Sequence, residues 1–582
     1  MTVRLPSAFL TLGVLLMPTI ASAQDAPAPD EFQRPGTTVT EPAPAPPDNG
    51  AIPAPSPNLD YQTLPLPDRN RIIEALGVKD NPLNPYTQST LKGDRPVFDD
   101  WFITLDLLSD SLVEPRSFPV PSGVVTTARN GENDKFGDPN QLVINQTLLP
   151  SLTITKGDTT FMPPEYEFVF TPAINYNYAH VEELGLLRAD PAKGTNRDDT
   201  FIGIQEAFLD YHLRNVSDRY DFDSFRVGIQ PINLDFRGFL FQDDQLAARL
   251  FGNRANNRFQ YNLEGIWRIE KDTNSGLNDL SQPLRRDYTI AANLFVQDLP
   301  VEGMTTEFSA VHNWNREEAF YYDKNGFIIR PAAIGDQFPH KYNVTYFGLN
   351  NDGHLGRINL SSSAYYVMGN DDHNVFSGQK ANIRAYFAAA EPSIDFDWIR
   401  LRATALYASG DDKPYGKTES GFDAIQENPQ IAGADTSYWI RQSIPLIGGG
   451  GVNLSSRDGV LPSLRSSGDE GQSNFINPGL TLLGVGTDLD LLPELRLTFN
   501  FNHLWFNNPE VLEILRQQPT VHKDIGWDLS SALTYRPFDT QNVVLRLSGA
   551  LLLPGQGFKD LYTSEPNNEV YYSVLTNIIL KY

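Results

Sequence analysis

The sequence of 582 residues contains no cysteine. This excludes a disulfide framework, thiolate metal sites, haem attached through paired cysteines and an N-terminal lipid anchor on cysteine. Beyond the first residues there is also no apolar run of about 18 residues, the length that a membrane-spanning helix needs. A membrane-spanning barrel would escape such a search, because alternate residues of its strands face water.

Positive charge is scarce as well, with 46 Lys and Arg against 72 Asp and Glu, a net charge of -26 and a pI near 4.7. Binding of nucleic acid requires a basic surface, so nucleic acid is excluded as a partner. The carboxylates suit solvent-exposed loops, which could hold divalent cations between the protein and lipopolysaccharide. No pattern of metal ligands is present, so we predict neither a metal site nor a cofactor.

The N-terminal region has the features of an exported protein. Arg4 precedes an apolar stretch, and an Ala-Ser-Ala sequence ends at Ala23, before Gln24. Residues 1–23 are therefore a predicted signal peptide, cleaved between Ala23 and Gln24. The proline-rich residues 24–67 offer too little apolar surface to fold, which predicts a disordered periplasmic leader. Residues 68–98 are predicted to form a short helix or a plug-like segment.

From residue 99 onward the chain alternates between apolar and polar residues. In residues 495–505 (LRLTFNFNHLW), every second residue from Leu495 is apolar up to Phe501, and the residues between are polar. The pattern recurs at 258–270 and 398–408 and is typical of strands with one apolar face. It predicts an all-β fold: a single transmembrane antiparallel barrel over residues 99–582, with about 16 to 18 strands. The number depends on whether the first strand begins near Trp101 or near Glu165.

The last fourteen residues, EVYYSVLTNIILKY, end the chain on an aromatic residue. Tyr572, Ile578, Leu580 and Tyr582 fall on one face of an extended strand. The stretch resembles the C-terminal signature of Gram-negative outer-membrane proteins. The resemblance implies recognition by the barrel-assembly machinery and a location in the cell outer membrane of a Gram-negative bacterium.

One connection is much longer than the others. Residues 409–477 are rich in Gly, Ser, Asp and Pro and contain few convincing spanning strands. Long loops in compact proteins are usually functional. We predict an extracellular loop that folds over or into the barrel mouth and narrows the pore.

Three short motifs resemble the alginate-export-type outer-membrane proteins. They are RVGIQ at 226–230, DFRG at 235–238 and RLFG at 249–252. The resemblance implies a barrel with an arginine-rich lumen that conducts an anionic polysaccharide. That family commonly has Arg directly before the Gln, whereas Ile229 stands here. Because of this departure, the resemblance still implies the barrel fold but does not imply that alginate is the solute.

If the apolar faces meet lipid, the opposite faces line the pore, because a charge in the lipid costs about 2 to 4 kcal/mol at mid-membrane. A row of guanidinium groups would then favour anions, or else these groups pair with inward acids and brace the barrel. The predicted pore-lining residues are Arg226, Arg258, Arg268, Arg357, Arg384, Arg400, Arg402, Arg496, Arg536, Arg546, Glu206, Asp210, Glu264 and Asp528.

Three functions remain open at this stage. The favoured one is a channel, either porin-like or an export pore, for small or polymeric solutes that are expected to be anionic. The alternative is a structural sleeve that encloses a partner protein such as a multihaem cytochrome or a lipoprotein. An outer-membrane enzyme is less favoured, because Ser309 and His312 point to opposite faces of one strand, and no catalytic residue is assigned. The expected partners are outer-membrane lipid, lipopolysaccharide, the barrel-assembly machinery and a periplasmic or lumenal protein.

Overall fold

The structure is a computed structural model. It describes residues 77, 89–117, 127, 138–157, 163–217, 221–330, 338–434, 436–437, 444–445, 451–452, 471–539, 541–561 and 570–582. The predicted signal peptide, its cleavage site at Ala23 and Gln24, and the proline-rich leader lie outside the described residues, as does nearly all of the helix predicted within residues 68–79.

Eighteen long antiparallel strands form one closed sheet, so the predicted all-β barrel is confirmed at the upper strand number. The strands are β1 (Trp101–Ser117), β2 (Asn140–Lys156), β3 (Tyr166–Val181), β4 (Asn196–Asn215), β5 (Phe222–Asn233), β6 (Gln242–Arg254), β7 (Phe259–Trp267), β8 (Asp287–Gln297), β9 (Met304–Asn315), β10 (Tyr342–Leu355), β11 (Ile358–Asp371), β12 (Ala381–Phe396), β13 (Ile399–Ala408), β14 (Leu480–Leu492), β15 (Leu495–Trp505), β16 (Asp524–Tyr535), β17 (Val543–Pro554) and β18 (Tyr571–Lys581).

The barrel closes between its first and last strands. β1 pairs with β18 in a register that runs from Leu108 opposite Lys581 to Arg116 opposite Ser573. The first strand therefore begins at Trp101 rather than near Glu165. Since every long strand has two neighbours, the exposed edge that a terminal strand would otherwise present is removed.

The connections at the two ends of the barrel differ in length. At one end the turns are as short as residues 356–357, 397–398 and 493–494. At the other end the connections are long, with residues 409–479 the longest. Transmembrane barrels have short periplasmic turns and longer extracellular loops, which sets the orientation.

Short elements lie within the long connections. They are helices α1 (Glu510–Arg516) and α2 (Gln556–Leu561), a 3-10 turn at Pro191–Lys193 and two-residue or three-residue strands at Tyr321–Tyr322, Ile328–Arg330, Thr418–Glu419, Ile444–Pro445 and Gly451–Val452. A further 3-10 turn, Pro537–Asp539, lies between β16 and β17. In the described part of the chain, no helix is long and apolar enough to cross a membrane.

The outer surface of the barrel is apolar. On β3 the outward residues include Phe168 and Ile174, which are exposed, whereas the inward residues Asn175 and Asn177 are buried. The same alternation places Tyr572, Val574, Thr576, Ile578 and Leu580 of β18 outside. An apolar exterior of this kind is what a lipid bilayer requires of a barrel. The architecture agrees with the predicted location in the Gram-negative outer membrane.

Of the segment 68–98, predicted to be a short helix or plug-like, the structure describes residues 77 and 89–98. Residues 91–93 lie along the part of the β1 edge that β18 does not reach, on the periplasmic side of the β1–β18 pairing. Leu105 N donates to Leu91 O at 2.7 Å, and Gly93 N donates to Ile103 O at 2.9 Å. The Lys92 ammonium lies 4.2 Å from the centre of the Tyr582 ring. This segment covers the part of the β1 edge that the last strand leaves unpaired.

Candidate functional site

Two loops fold from the extracellular end into the lumen, and the first is residues 234–241, between β5 and β6. The buried Asp235 carboxylate accepts hydrogen bonds from the amides of Arg237, Phe239 and Leu240 at 2.8 to 3.0 Å and from the Tyr365 hydroxyl at 2.9 Å. Gly238 has a φ of +68°, and a Cβ there would lie 2.5 Å from Asn428 O. The DFRG motif therefore holds a tight inward turn.

Burial raises the pKa of Asp235, although its hydrogen bonds act in the opposite direction. The three amides and the hydroxyl that surround the carboxylate are donors, so they favour its charged form. Asp235 is thus an anchor of the loop rather than a group exposed to a solute.

The second inward loop is the first part of the long connection, residues 409–434 and 436–437. Tyr346 of β10 donates to Asp423 O at 3.0 Å, and the buried Arg268 donates to Ile425 O at 3.3 Å. The Phe422 ring packs 4.8 Å from the Phe387 ring of β12. The described residues of this connection therefore pack against inward side chains of the barrel wall.

The GQSNFINPG stretch at 471–479 ties this loop to the wall. Asn477 Nδ2 donates to Phe422 O at 3.0 Å, and Ser473 Oγ donates to Ala424 O at 2.8 Å. Gln472 Nε2 donates to Asn315 Oδ1 of β9 at 2.8 Å. All of these contacts are buried, so the stretch is a structural joint between loop and barrel.

Residues 428–434 and 436–437 then run along the inner wall of the barrel, beside β12 to β16. Arg237 donates to Gln430 O at 3.1 Å, and Glu391 of β12 accepts the Ala432 amide at 3.0 Å. Asn502 of β15 donates to Ala432 O at 3.0 Å, and Thr436 lies 3.1 Å from Ser530 of β16. This segment forms the roof of a cavity on its periplasmic side.

That cavity has a volume of about 450 Å³ and is lined by six arginines and two carboxylates, Glu391 and Asp488. The arginines are Arg237, Arg400, Arg402, Arg496, Arg536 and Arg546. Except for Arg237, which the loop supplies, they lie next to the short turns at 397–398, 493–494 and 536–542. The cavity therefore lies in the periplasmic half of the lumen.

Acids pair with four of these guanidinium groups, and the longest pair joins Arg237 Nη1 and Glu391 Oε1 at 3.8 Å. Arg402 Nη2 lies 3.2 Å from Asp488 and 2.9 Å from Asn500 Oδ1. Arg400 pairs with Asp395, and Arg496 pairs with Asp490, each at 2.6 Å. The last two pairs are about half exposed, so water and solutes reach their guanidinium groups.

The inward face of β1 and β2 stays partly exposed. Leu108, Asp110, Asn145 and Thr147 point into the lumen at intermediate exposure, whereas inward residues of β10 such as Tyr346 are fully buried beneath the loops. The space that remains in the lumen therefore runs beside β1 and β2, eccentric to the barrel axis.

The strand register places nine of the fourteen predicted pore-lining residues on the inward face, and Arg536 at the lumen rim in a turn. The nine are Arg226, Arg400, Arg402, Arg496, Arg546, Glu206, Asp210, Glu264 and Asp528. Several brace the wall: Arg226 pairs with Asp210 at 2.8 Å, and Glu264 pairs with Arg249 at 3.1 Å. Asp528 is fully buried beneath the loop and hydrogen-bonds Ser437.

Four predicted positions require correction. Arg384 lies on the outward face of β12, since it pairs with the outward Met368. Arg258 and Arg357 are exposed residues of periplasmic turns, because their strands begin one residue later. Arg268 is 1% exposed and is bonded to Asp287 and the inward loop, so no solute reaches it.

Sequence reasoning missed Arg237 and Arg249. Arg249 shares the inward face of β6 with Gln245, so the alternation of that strand contained the signal. Arg237 enters the lumen only because its loop folds inward, which no local pattern indicates. Ile229, the departure from the alginate-export pattern, lies on the outward face beside Leu246, where an arginine would face lipid.

No protein-family model matches the sequence, and no curated protein matches it. Similar solved structures include two Pseudomonas aeruginosa proteins. OccK7 (OpdD) is 8% identical with a TM-score of 0.44, over 83% of this chain and 99% of that one. OccK5 (OpdH) is 10% identical with a TM-score of 0.41, over 82% and 97%. A BenF-like porin from Pseudomonas fluorescens is 11% identical with a TM-score of 0.43, over 82% and 99%.

Proposed function

We propose that the protein is an outer-membrane channel for small anionic solutes and that the arginine-lined cavity is its selective site. The observation that carries the proposal is the cavity lining, six guanidinium groups and two carboxylates in a space of about 450 Å³, with two further carboxylates, Asp395 and Asp490, paired to Arg400 and Arg496. Rings of Arg or Lys in a pore lower the barrier for anions. Guanidinium groups also match the planar geometry of carboxylates and phosphates.

The pairing of these arginines suits passage rather than tight binding. Arg400 and Arg496 keep an acidic partner while remaining about half exposed. An anion in the cavity can accept hydrogen bonds from the free edge of such a group without leaving a buried charge unpaired. A solute is thus attracted and can also leave, which conduction requires.

The resemblance to alginate-export-type proteins favours a different solute, an anionic polysaccharide. The DFRG part of that resemblance is explained by loop folding, since Asp235 and Gly238 hold the turn. We therefore favour small anions. Block of the current by alginate oligomers, but not by small carboxylates, would reverse this preference.

The sleeve remains the rival function. The chain's own loops 234–241 and 409–434 occupy the extracellular half of the lumen and share one apolar core with inward residues such as Tyr346 and Phe387. This leaves the eccentric space beside β1 and β2, which suits a small solute better than a folded partner.

The test is ion selectivity of the purified protein in planar bilayers. We expect wild-type channels to prefer chloride over potassium, and Arg400→Ala plus Arg402→Ala to abolish that preference. Arg258→Ala plus Arg357→Ala is the matched control: it removes two exposed arginines outside the cavity and should leave selectivity unchanged.

Two results would contradict the proposal. Unchanged selectivity in the cavity variant would show that these arginines do not govern permeation. Absence of current from folded protein, together with co-purification of a stoichiometric partner, would favour the sleeve.

A further inference from the structure

A row of cations lies outside the barrel at its extracellular end. Arg286 directly precedes β8, Arg316 directly follows β9, and Lys341 directly precedes β10. Asp287 and Tyr342 each pair with Asn315, and Arg316 N donates to Arg286 O at 2.8 Å. The three residues are therefore side by side on adjacent strands. They share the outward face, because Asn315 beside them points inward.

The row continues onto β12. Lys380 and Arg384 share the outward face with Tyr386 and are exposed. The Arg384 side chain has no hydrogen bond or ion pair within the residues that the structure describes. We call Arg286, Arg316, Lys341, Lys380 and Arg384 the outer cation row.

Few acids accompany the outer cation row. Glu318 bridges two of its members, with Oε1 2.6 Å from Arg286 and Oε2 in contact with Lys341. The hydrogen bond from Lys341 lowers the pKa of Glu318, so this carboxylate is charged. Asp372, whose amide donates to Lys341 O, is the other carboxylate along the row. Among the residues that the structure describes at this place, five cations against two acids give a positive strip on a protein of net charge -26.

Aromatic side chains line the outward face next to these cations. Tyr288 follows Arg286 by two residues, Trp314 precedes Arg316 by two, and Tyr386 follows Arg384 by two. Tyr386 also lies 5.3 Å from Tyr366 of β11, ring centre to ring centre. Aromatic girdles mark the level where hydrocarbon meets headgroups. The row therefore lies at headgroup level in the outer leaflet.

We propose that the outer cation row binds the phosphates of lipid A in lipopolysaccharide. The proposal rests on the outer-membrane location and not on the channel function. Arg and Lys at a membrane surface attract anionic headgroups, and guanidinium groups bind phosphate through paired hydrogen bonds. Glu318 holds Arg286 and Lys341 in position, and Arg384 supplies a guanidinium that has no hydrogen-bond or ion-pair partner among the described residues.

The test is native mass spectrometry of the full-length protein in detergent, titrated with bisphosphorylated lipid A. We expect Arg286→Ala, Lys341→Ala and Arg384→Ala together to weaken binding roughly 10-fold to 100-fold, since each cation near the lipid surface adds to the attraction. The matched control removes three lysines of other extracellular connections: Lys193→Ala, Lys523→Ala and Lys559→Ala. It should bind lipid A as the wild type does.

Three outcomes would overturn the proposal: wild-type binding by the triple variant, equal binding of dephosphorylated lipid A by the wild type, or loss of a dimer mass without loss of lipid A. The last would assign the row to a second copy of the chain. Heat-modifiable migration on gels confirms that each variant is folded. Chloride selectivity should be unchanged in the triple variant, so failure here and failure of the channel proposal are distinguishable.

Discussion

At the scale of single residues, the position of the Arg402 side chain depends on a glycine in the facing position of the neighbouring strand. Gly486 faces it across β13 and β14, and a Cβ there would lie 3.1 Å from Arg402 Nη2 and 2.9 Å from Asn500 Oδ1. These two neighbours are ends of flexible side chains and can move, whereas the third, the Phe499 backbone oxygen at 3.1 Å, requires a small shift of the neighbouring strand. Gly486 thus leaves room for the guanidinium to reach Asp488.

Gly486→Ala should therefore displace Arg402 and weaken chloride selectivity while the barrel still folds. The reversal potential in a salt gradient measures the effect, and we expect a partial loss relative to Arg402→Ala. Gly549→Ala is the control, because it lies on the outward face of β17 and its nearest neighbour would be 3.9 Å away. Equal selectivity of Gly486→Ala and wild type would show that the position of Arg402 is unimportant.

Strand alternation predicted the inward positions of Arg400, Arg402 and Arg496, since each lies between outward apolar residues. The same reasoning failed for Arg384. A charge on the lipid face is strongly disfavoured only near the middle of the membrane. The free-energy cost of such a charge falls to about 0 to 1 kcal/mol near the interface. Arg384 lies three residues from the extracellular start of β12, where an outward charge is tolerated.

At the scale of elements, the inward turn of residues 234–241 depends on one carboxylate. Asp235→Ala would leave the buried amides of Phe239 and Leu240, the partly buried amide of Arg237 and the Tyr365 hydroxyl without this acceptor, and an unsatisfied buried group costs about 1 to 3 kcal/mol. The turn should then loosen and release Arg237 from the cavity. We expect noisier single-channel currents with a higher mean conductance.

Asp235→Asn should give an intermediate effect, because its amide oxygen still accepts while its amide nitrogen cannot. Asp190→Ala is the control, since Asp190 caps an exposed turn outside the lumen. Quiet, wild-type currents from Asp235→Ala would mean that other contacts suffice to hold the loop.

The strands could be predicted from the sequence and the loop path could not. Residues 495–505 form a strand with the predicted bounds, because alternation is a local pattern. The loop is held by contacts such as Arg268 with Ile425, which lie 157 residues apart. Nothing in the neighbourhood of either residue indicates that pairing. The cavity roof, and with it the inward position of Arg237, therefore required the structure.

At the scale of the whole molecule, charge is separated. The net charge is -26, yet the cavity has an excess of arginine, and so does the outer cation row. The inward face of β4 has Glu206 and Asp210 instead. On the channel proposal, selectivity is therefore expected to follow the few groups in the narrowed part of the lumen rather than the net charge of the chain.

The central claim is that the cavity arginines select anions, and its most direct test is the reversal potential of the wild-type protein in a KCl gradient at low ionic strength. Screening is weak there, with a Debye length of about 30 Å at 0.01 M. We predict a potential near the chloride equilibrium value that declines as the salt on both sides is raised. A potential near the potassium equilibrium value would contradict the account.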